Sequence, residues 1–289
     1  MVEAVRALAP LARDHELVVT HGNGPQIGVL ALESATDPNL TLPYPFDVLG
    51  AQTQGMIGYW LLQALQNELP DRDVACIINQ TLVDADDPAF DDPTKFIGEV
   101  YDEAEARRVA AERGWTVKPD GARWRRVVGS PAPQHVVETS LIHLLMDNDA
   151  IVVCAGGGGV PVVRRPDGRL DGVEAVVDKD HTASVLACAL RADALLILTD
   201  VPNVFVDFGT PDQQAIHHVT PEALREGDFP AGSMGPKVEA ACRFVEATGG
   251  MAGIGRLADV GAILEGAAGT VVTPDGQAPT GARGGRLQG

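Results

Sequence analysis

Three runs of residues, Leu17–Thr20, 150–154 (AIVVC) and 194–199 (ALLILT), are apolar at consecutive rather than alternate positions, two of them closing on a Thr. A strand of that kind is buried on both faces, which calls for a mainly parallel sheet with helices above and below it. Helical spacing fills the intervals, at 2–13, 47–68, 134–147, 181–191 and 237–248, and 74–83 (VACIINQTLV) reads as one more strand. In 181–191, Ala183, Leu186, Ala187 and Leu190 share one face, and Gly249 suits the position just past the end of helix 237–248. The alternation places the chain in the α/β class, and 289 residues suffice to bury a sizeable core.

The rhythm breaks at 84–128. The stretch 84–100 (DADDPAFDDPTKFIGEV) is crowded with Asp and Pro and is expected to hold no regular element. A helix near 102–113 follows, then an alternating segment at 115–128 that reads as a hairpin around Asp120–Gly121. Residues 84–128 are therefore expected to leave the main domain, 1–273, as an excursion. From 274 to 289 the chain turns to Gly, Pro, Gln and Arg, the composition of a disordered tail.

A net charge of −18 argues against nucleic acid and anionic membranes as partners. The first residues carry an early Glu and no long apolar stretch, unlike a secretory signal, and the longest apolar run is broken by four glycines and a proline. Cys76, Cys154, Cys188 and Cys242 lie far apart without metal-ligand spacing, so they read as small buried hydrophobes of a reducing cytoplasm. Any phosphate site in so acidic a chain has to be built locally, from backbone amides and a few placed cations.

Two glycine stretches follow apolar strands, HGNG at His21, Gly22, Asn23 and Gly24, and GGGG at Gly156, Gly157, Gly158 and Gly159. Loops beyond the carboxyl ends of parallel strands are where such sheets bind ligands, and glycines there let backbone amides approach an anion. For the first stretch a simple tight turn explains the residues as well. His21 sits in the candidate loop, where a structural hydrogen bond fits it equally. A dinucleotide fingerprint fails on spacing and on the missing acidic strand end, and no lysine precedes Ser or Thr as the ATP-binding glycine loop requires.

The basic residues are the most informative. Eighteen of the 22 are arginine, and the lysines are Lys95, Lys118, Lys179 and Lys237. Lysine is a compact charge able to follow a moving phosphoryl group, whereas arginine's fork suits fixed planar pairs. Lys118, beside Pro119 in the hairpin, reads as a solvated charge. Lys95 lies at the tip of the excursion, Lys179 between two carboxylates, and Lys237 at the start of a helix after a glycine-containing turn. Asp180 fits either a cap on helix 181–191 or a group holding nearby lysines or Mg²⁺.

With these residues the chain resembles the carbamate kinases of the amino-acid kinase superfamily, from about Leu8 to Val272. The stretches that carry the likeness are LVVTHGNGPQIG, PYPFDVLGAQTQGMIGY, DDPAFDDPTKFIG, CAGGGGVPVV, GVEAVVDKD, LLILTDVPNVF and PAGSMGPKVEAACRFVEATGG. The resemblance implies a three-layer α/β/α sandwich with a small protruding subdomain, a homodimer, and the Mg²⁺-dependent reaction ATP + carbamate ⇌ ADP + carbamoyl phosphate, run toward ATP in arginine breakdown. It implies phosphate contacts for Lys95, Lys179 and Lys237, and a lysine-orienting role for Asp180. The two glycine loops would embrace carbamate and the transferring phosphoryl group, and Thr199, Asp200, Val201 and Met234 would lie by the nucleotide. Carbamate is already an anion, so positioning and charge neutralisation are the demands of the chemistry.

Phe96 stands where the family has proline. The family also begins with an inner strand and a GGNA-type loop that contacts phosphate, whereas this chain starts in the helix that follows them, so residues 1–289 alone are expected to be poorly soluble or inactive. A non-catalytic or regulatory protein of the same fold, or a kinase of another small carboxylate, are the competing readings.

Overall fold

The computed structural model describes residues 1–230 and 232–279. The amino-terminal half runs through α1 (Val2–Asp14), β1 (Val18–Val19), α2 (Gly24–Thr36), α3 (Phe46–Glu68), β2 (Val74–Cys76) and β3 (Gln80–Val83). The excursion holds β4 (Lys95–Tyr101), α4 (Glu103–Arg113), β5 (Thr116–Asp120) and β6 (Arg123–Val128). After it come β7 (Pro133–Val136), α5 (Thr139–Met146), β8 (Ile151–Val153), β9 (Val160–Arg164), β10 (Leu170–Gly172) and α6 (Lys179–Ala189). The carboxy-terminal half contains β11 (Ala194–Thr199), β12 (Val204–Val206), β13 (Gln214–Ile216), β14 (His218–Val219), α7 (Pro221–Arg225), α8 (Met234–Thr248), β15 (Met251–Arg256), α9 (Val260–Leu264) and β16 (Thr270–Val272).

Alternation along two strands reveals the layers. Ile151 and Val153 of β8 join a core with Val5 and Leu8 of α1 and Ile57 and Leu61 of α3, while Val152 between them packs with Ile142 of α5 and Leu186 of α6. In β11, Leu196 and Leu198 meet the α1 side, whereas Leu195 and Ile197 share a core with Phe244 and Val245 of α8. Successive side chains thus bury against helices on opposite faces, the arrangement that an unbroken apolar strand predicts. The central strands form two runs, β1–β8–β2, parallel throughout, and β11–β15–β16–β14, in which β15 and β16 pair antiparallel. A further sheet, β10–β9–β3–β7, lies beside them in sequence and contacts α3 through β9.

Four expectations change. The strand expected over 74–83 is two, because Asn79 leaves the ladder and exchanges hydrogen bonds with the Gln54 side chain, donating its own amide and accepting through its carbonyl. The stretch 84–100 does contain a regular element: β4 begins at Lys95 and pairs antiparallel with β6 around a bulge between Ile97 and Val100, where Gly98 has φ of 70°. The helix expected over 134–147 splits. Residues from Pro133 to Val136 pair antiparallel with β3, and the helix starts only at Thr139. Residues 274–277 form a turn rather than the start of a disordered tail, since the Thr273 hydroxyl donates to the Gln277 carbonyl at 3.0 Å. The rest of that expected tail, 280–289, lies outside the described residues.

The expected hairpin of β5 and β6 is present, turning at Gly121–Ala122 with Asp120 as the last paired residue of β5, and it joins β4 in an antiparallel sheet, β4–β6–β5. Arg126 of β6 attaches this sheet to the main body. Its guanidinium stacks over Trp115 at 4.3 Å and over Phe46, the first residue of α3, at 4.7 Å, and it pairs with Glu174 at 2.9 Å. Glu174 in turn accepts from the Phe46 amide.

Candidate active site

Helix α6 starts two residues earlier than its apolar spacing suggests because Asp178 caps it. The Asp178 Oδ1 accepts from the amides of Asp180 at 2.9 Å and His181 at 3.3 Å, which satisfies donors that a helix start leaves unpaired. Lys179 and Asp180 thereby fall in the first turn. Asp180, 7% exposed, holds Lys179 Nζ on Oδ1 at 2.7 Å and Lys237 Nζ on Oδ2 at 2.9 Å. Lys237 comes from the first turn of α8, which packs directly on α6. Lys95, the first residue of β4, reaches the same place and meets Asp178 Oδ2 at 2.9 Å. Of the two roles open to Asp180, the structure gives it the lysines, and the cap belongs to Asp178.

The charges fix one another. Burial works against the Lys179 proton, but the Asp180 charge and hydrogen bond outweigh it and lift the ammonium above the ordinary lysine value. Lys237 shares the same carboxylate with a like charge beside it, so burial and Lys179 together leave it below that value despite the pull of Asp180. Two lysines on one aspartate therefore hold their protons unequally.

These side chains line a cleft together with Gly22, Asn23, Gly24 and Gly157. The amino end of α2, with Pro25 in its first turn, points unpaired amides and partial positive charge there. The glycine loop at 156–159 works differently. The Gly157 amide donates to the His21 carbonyl at 2.8 Å, and the Gly158 and Gly159 amides donate back to Ala155 and Gly156. These glycines serve close packing. At Gly157, φ is 63° and a Cβ would collide with the Asn23 side chain; at Gly159, φ is 82° and a Cβ would lie 2.1 Å from Thr81 Oγ1. Gly157 lines the cleft, whereas Gly156, Gly158 and Gly159 sit behind it. His21 packs its ring against Gly156 and places Nδ1 3.0 Å from the Gly22 carbonyl; burial holds its pKa down, so the ring is neutral at pH 7.

A buried polar brace behind the loop escaped sequence reasoning. The Gly158 carbonyl accepts from Thr81 Oγ1 at 2.7 Å and from Thr182 Oγ1 at 3.0 Å, and the Ala155 amide donates to Asn79 Oδ1. Asn23 donates to Thr53 Oγ1 of α3 at 2.9 Å. Asp178 was missed as well, although an Asp just before a helical pattern is a cap signal. Thr81 and Thr182 carry no such signal, because their partner is a backbone carbonyl about eighty residues away in one case and twenty-four in the other.

Thr199 ends β11, Asp200 accepts at its carbonyl from Arg256 Nε at 3.4 Å, and neither they nor Val201 line the lysine cleft. Met234 opens α8 one turn before Lys237 and packs against the core beneath it. Lys118 pairs with Asp92 on the surface, away from the cleft.

The arrangement can neutralise and orient a tetrahedral oxyanion between three ammonium groups and a helix start. Among the described residues no group of three acidic, His or Cys side chains is placed to hold a metal ion. Comparison with known proteins agrees with that chemistry. The Amino acid kinase family model matches residues 1–253. The carbamate kinase of Rhizobium meliloti (strain 1021) is 50% identical over 274 residues, 93% of this chain and 84% of the relative. That of Haemophilus influenzae is 47% identical over 271 residues, covering 93% and 87%. The solved structure of carbamate kinase from Giardia lamblia bound to AMP-PNP superimposes with a TM-score of 0.87 at 37% identity, over 94% of this chain and 89% of that one. On the family match and on relatives this similar across nearly its whole length, the chain belongs to the amino acid kinase family.

Proposed function

We propose that this protein transfers a phosphoryl group between ATP and carbamate, ATP + carbamate ⇌ ADP + carbamoyl phosphate. The observation that carries the reading is the convergence of Lys95, Lys179 and Lys237 on one cleft, in a chain with only four lysines, together with relatives named for that reaction. Phosphoryl transfer asks for alignment and for charge to be met as it spreads over the transferring oxygens. Lys179 and Lys237, held by Asp180 and fixed at the starts of two packed helices, meet that charge without reorganising. Gly22, Asn23, Gly24 and the α2 amino end receive the small acceptor, and Gly157 brings the second loop up behind it. Carbamate needs no deprotonation, and the two cleft carboxylates, Asp178 and Asp180, are each held by lysines.

Magnesium enters with the nucleotide. Asp178 and Asp180 are both engaged by lysines, so the ion would be held mainly through the phosphates of ATP or ADP, the usual mode for Mg²⁺, and would supply charge neutralisation there. The nucleotide lies toward Thr199, Asp200 and Val201 at the carboxyl end of β11 and toward Met234. The segment 84–128 acts as a lid that carries Lys95 and excludes water when closed. A homodimer forms through α3, which exposes Tyr59 at 54% and Trp60 at 42%, with Ile78 next to its Gly55 exposed at 54%. The reaction serves arginine or carbamoyl-phosphate breakdown in the cytoplasm. The meeting of Lys95, Lys179, Asp180 and Lys237 at one cleft favours a working enzyme over a non-catalytic relative and over the inactivity expected from the sequence alone.

A coupled assay for ATP from ADP, carbamoyl phosphate and Mg²⁺ tests the reading. ATP formation is expected. No ATP, with phosphorylation of N-acetylglutamate or another carboxylic acid instead, overturns the substrate.

A further inference from the structure

Asp178 faces two ways. Oδ1 caps α6, a task that asks for one oxygen and no charge, and that Asn or Ser performs as well. Oδ2 is left over, and Lys95 crosses from the lid to take it at 2.9 Å, from 83 residues away in sequence. The two side chains are 14% and 37% exposed, unlike the exposed pairs elsewhere on the lid such as Arg107 with Glu103. Burial would raise the Asp178 carboxyl, yet the charge and hydrogen bond of Lys95, the nearby His181 ring and the His181 amide hold it below its ordinary value, so Asp178 is a carboxylate at neutral pH. No other ion pair among the described residues joins β4 to α6.

We propose that Asp178 is a positioning residue that ties lid closure to the assembly of the site. Its carboxylate draws Lys95 and the edge of β4 onto the amino end of α6, which sets the third lysine beside the Lys179–Asp180–Lys237 group before any anion arrives. A phosphoryl group entering the cleft carries more charge than one carboxylate and takes Lys95 over from Asp178, so the lid stays closed while its partner changes. The handover rests on the phosphotransfer reading above; the latch does not.

Asp178→Asn separates the two tasks, because it keeps an oxygen for the cap and loses the charge. Asp178→Ala removes both, and Lys95→Met removes the lid's half. Hydrogen exchange over residues 95–101 and 123–128 of the full chain, without substrate, reads the latch. In Asp178→Asn and in Lys95→Met it should speed up by roughly two- to fivefold, the scale of one partly screened ion pair. The double variant should be no faster than either single one, and the melting temperature of Asp178→Asn should stay near wild type. With carbamoyl phosphate and ADP, Asp178→Asn should raise KM more than it lowers kcat. Wild-type lid exchange in Asp178→Asn, with a lowered melting temperature only in Asp178→Ala, would mean a cap and nothing else, and would overturn the proposal. Faster lid exchange with unchanged kcat and KM would remove the handover. A wild-type protein that makes no ATP defeats the reaction and leaves the exchange result to decide the latch.

Discussion

Strands β8 and β6 each run through the middle of a three-stranded sheet, but they are buried in different ways. All three residues of β8 are 0% exposed, with apolar cores on both faces. In β6 only Val127 and Val128 are buried, and the rest of the strand is Arg123, Trp124, Arg125 and Arg126, held by stacking and ion pairs. Exposing β8 would put a continuous apolar surface into water, whereas the arginines of β6 lose contacts that water and other anions replace. The sandwich therefore holds Lys179, Asp180 and Lys237 on its buried side, and on the proposed reading the β4–β6–β5 sheet carries Lys95 on a body able to open. Rigidity and access are assigned to different parts of one chain.

The largest expected effect lies on the rigid side. Lys179→Ala or Lys237→Ala should cut turnover by about a hundredfold or more, the scale of one preorganised charge contact. Lys118→Ala, on the lid surface, should stay within assay error. Steady-state kinetics of the three decide it, and a Lys118 effect as large as that of Lys237 would break the division.

Next in size is Gly159→Ala. A left-handed φ of 82° and the Thr81 hydroxyl in the path of the new Cβ should cost about 1–3 kcal/mol. Thermal melting should drop with no change in lid exchange. If melting is unaffected, the brace behind the glycine loop is softer than the core around it.

The pH profile sharpens the rigid side further. Lys237 sits below the ordinary lysine value, so it is the first of the pair to lose its proton as pH rises, and turnover should fall on the alkaline side before free lysine would titrate. Asp180→Asn removes the carboxylate that keeps both protons on and should move that limb to lower pH. Stability runs the opposite way in this window. Between the lowered Lys237 value and the unfolded one, the unfolded chain binds more protons, so this group makes the fold more stable as pH rises. A melting temperature that fell together with activity would point to unfolding instead.

Arg126→Met carries the smallest effect and tests the flexible side. Loss of the stack on Phe46 and of the Glu174 pair should speed exchange across 95–128 by a few-fold, in keeping with about 0.5–1 kcal/mol for a partly exposed cation–π contact. Exchange in β8 and β11 should not move. Equal acceleration in both regions would mean that the lid and the sandwich open as one unit.

The sequence reading succeeded and failed along the same line. Strands β8 and β11 were legible because a strand buried on both faces writes its environment into consecutive residues. Strands β4 and β7 were not, since each is defined by pairing with a partner across a turn or a sheet, and Asp, Pro or His in the local window hides it. Lysine scarcity found Lys95, Lys179 and Lys237, and the cleft gathers all three. It could not find Asp178, whose second oxygen acquires a task only when the lid folds back over α6. Nor could counting glycines tell a loop whose amides face a ligand from one whose amides are spent on the protein itself, on its own turns for Gly158 and Gly159 and on the His21 carbonyl for Gly157.

The ammonium cluster at the cleft sits on a body with net charge −18. An approaching nucleotide or acyl phosphate is repelled at long range and attracted only over the last few ångströms. Dissolved ions thin the repulsion first, because it acts across more than the Debye length of about 8 Å at physiological ionic strength, whereas contacts near 3 Å are screened far less. Moderate salt should therefore quicken encounter between this enzyme and its anionic substrates, the reverse of what is usual where a charged surface steers its ligand inward.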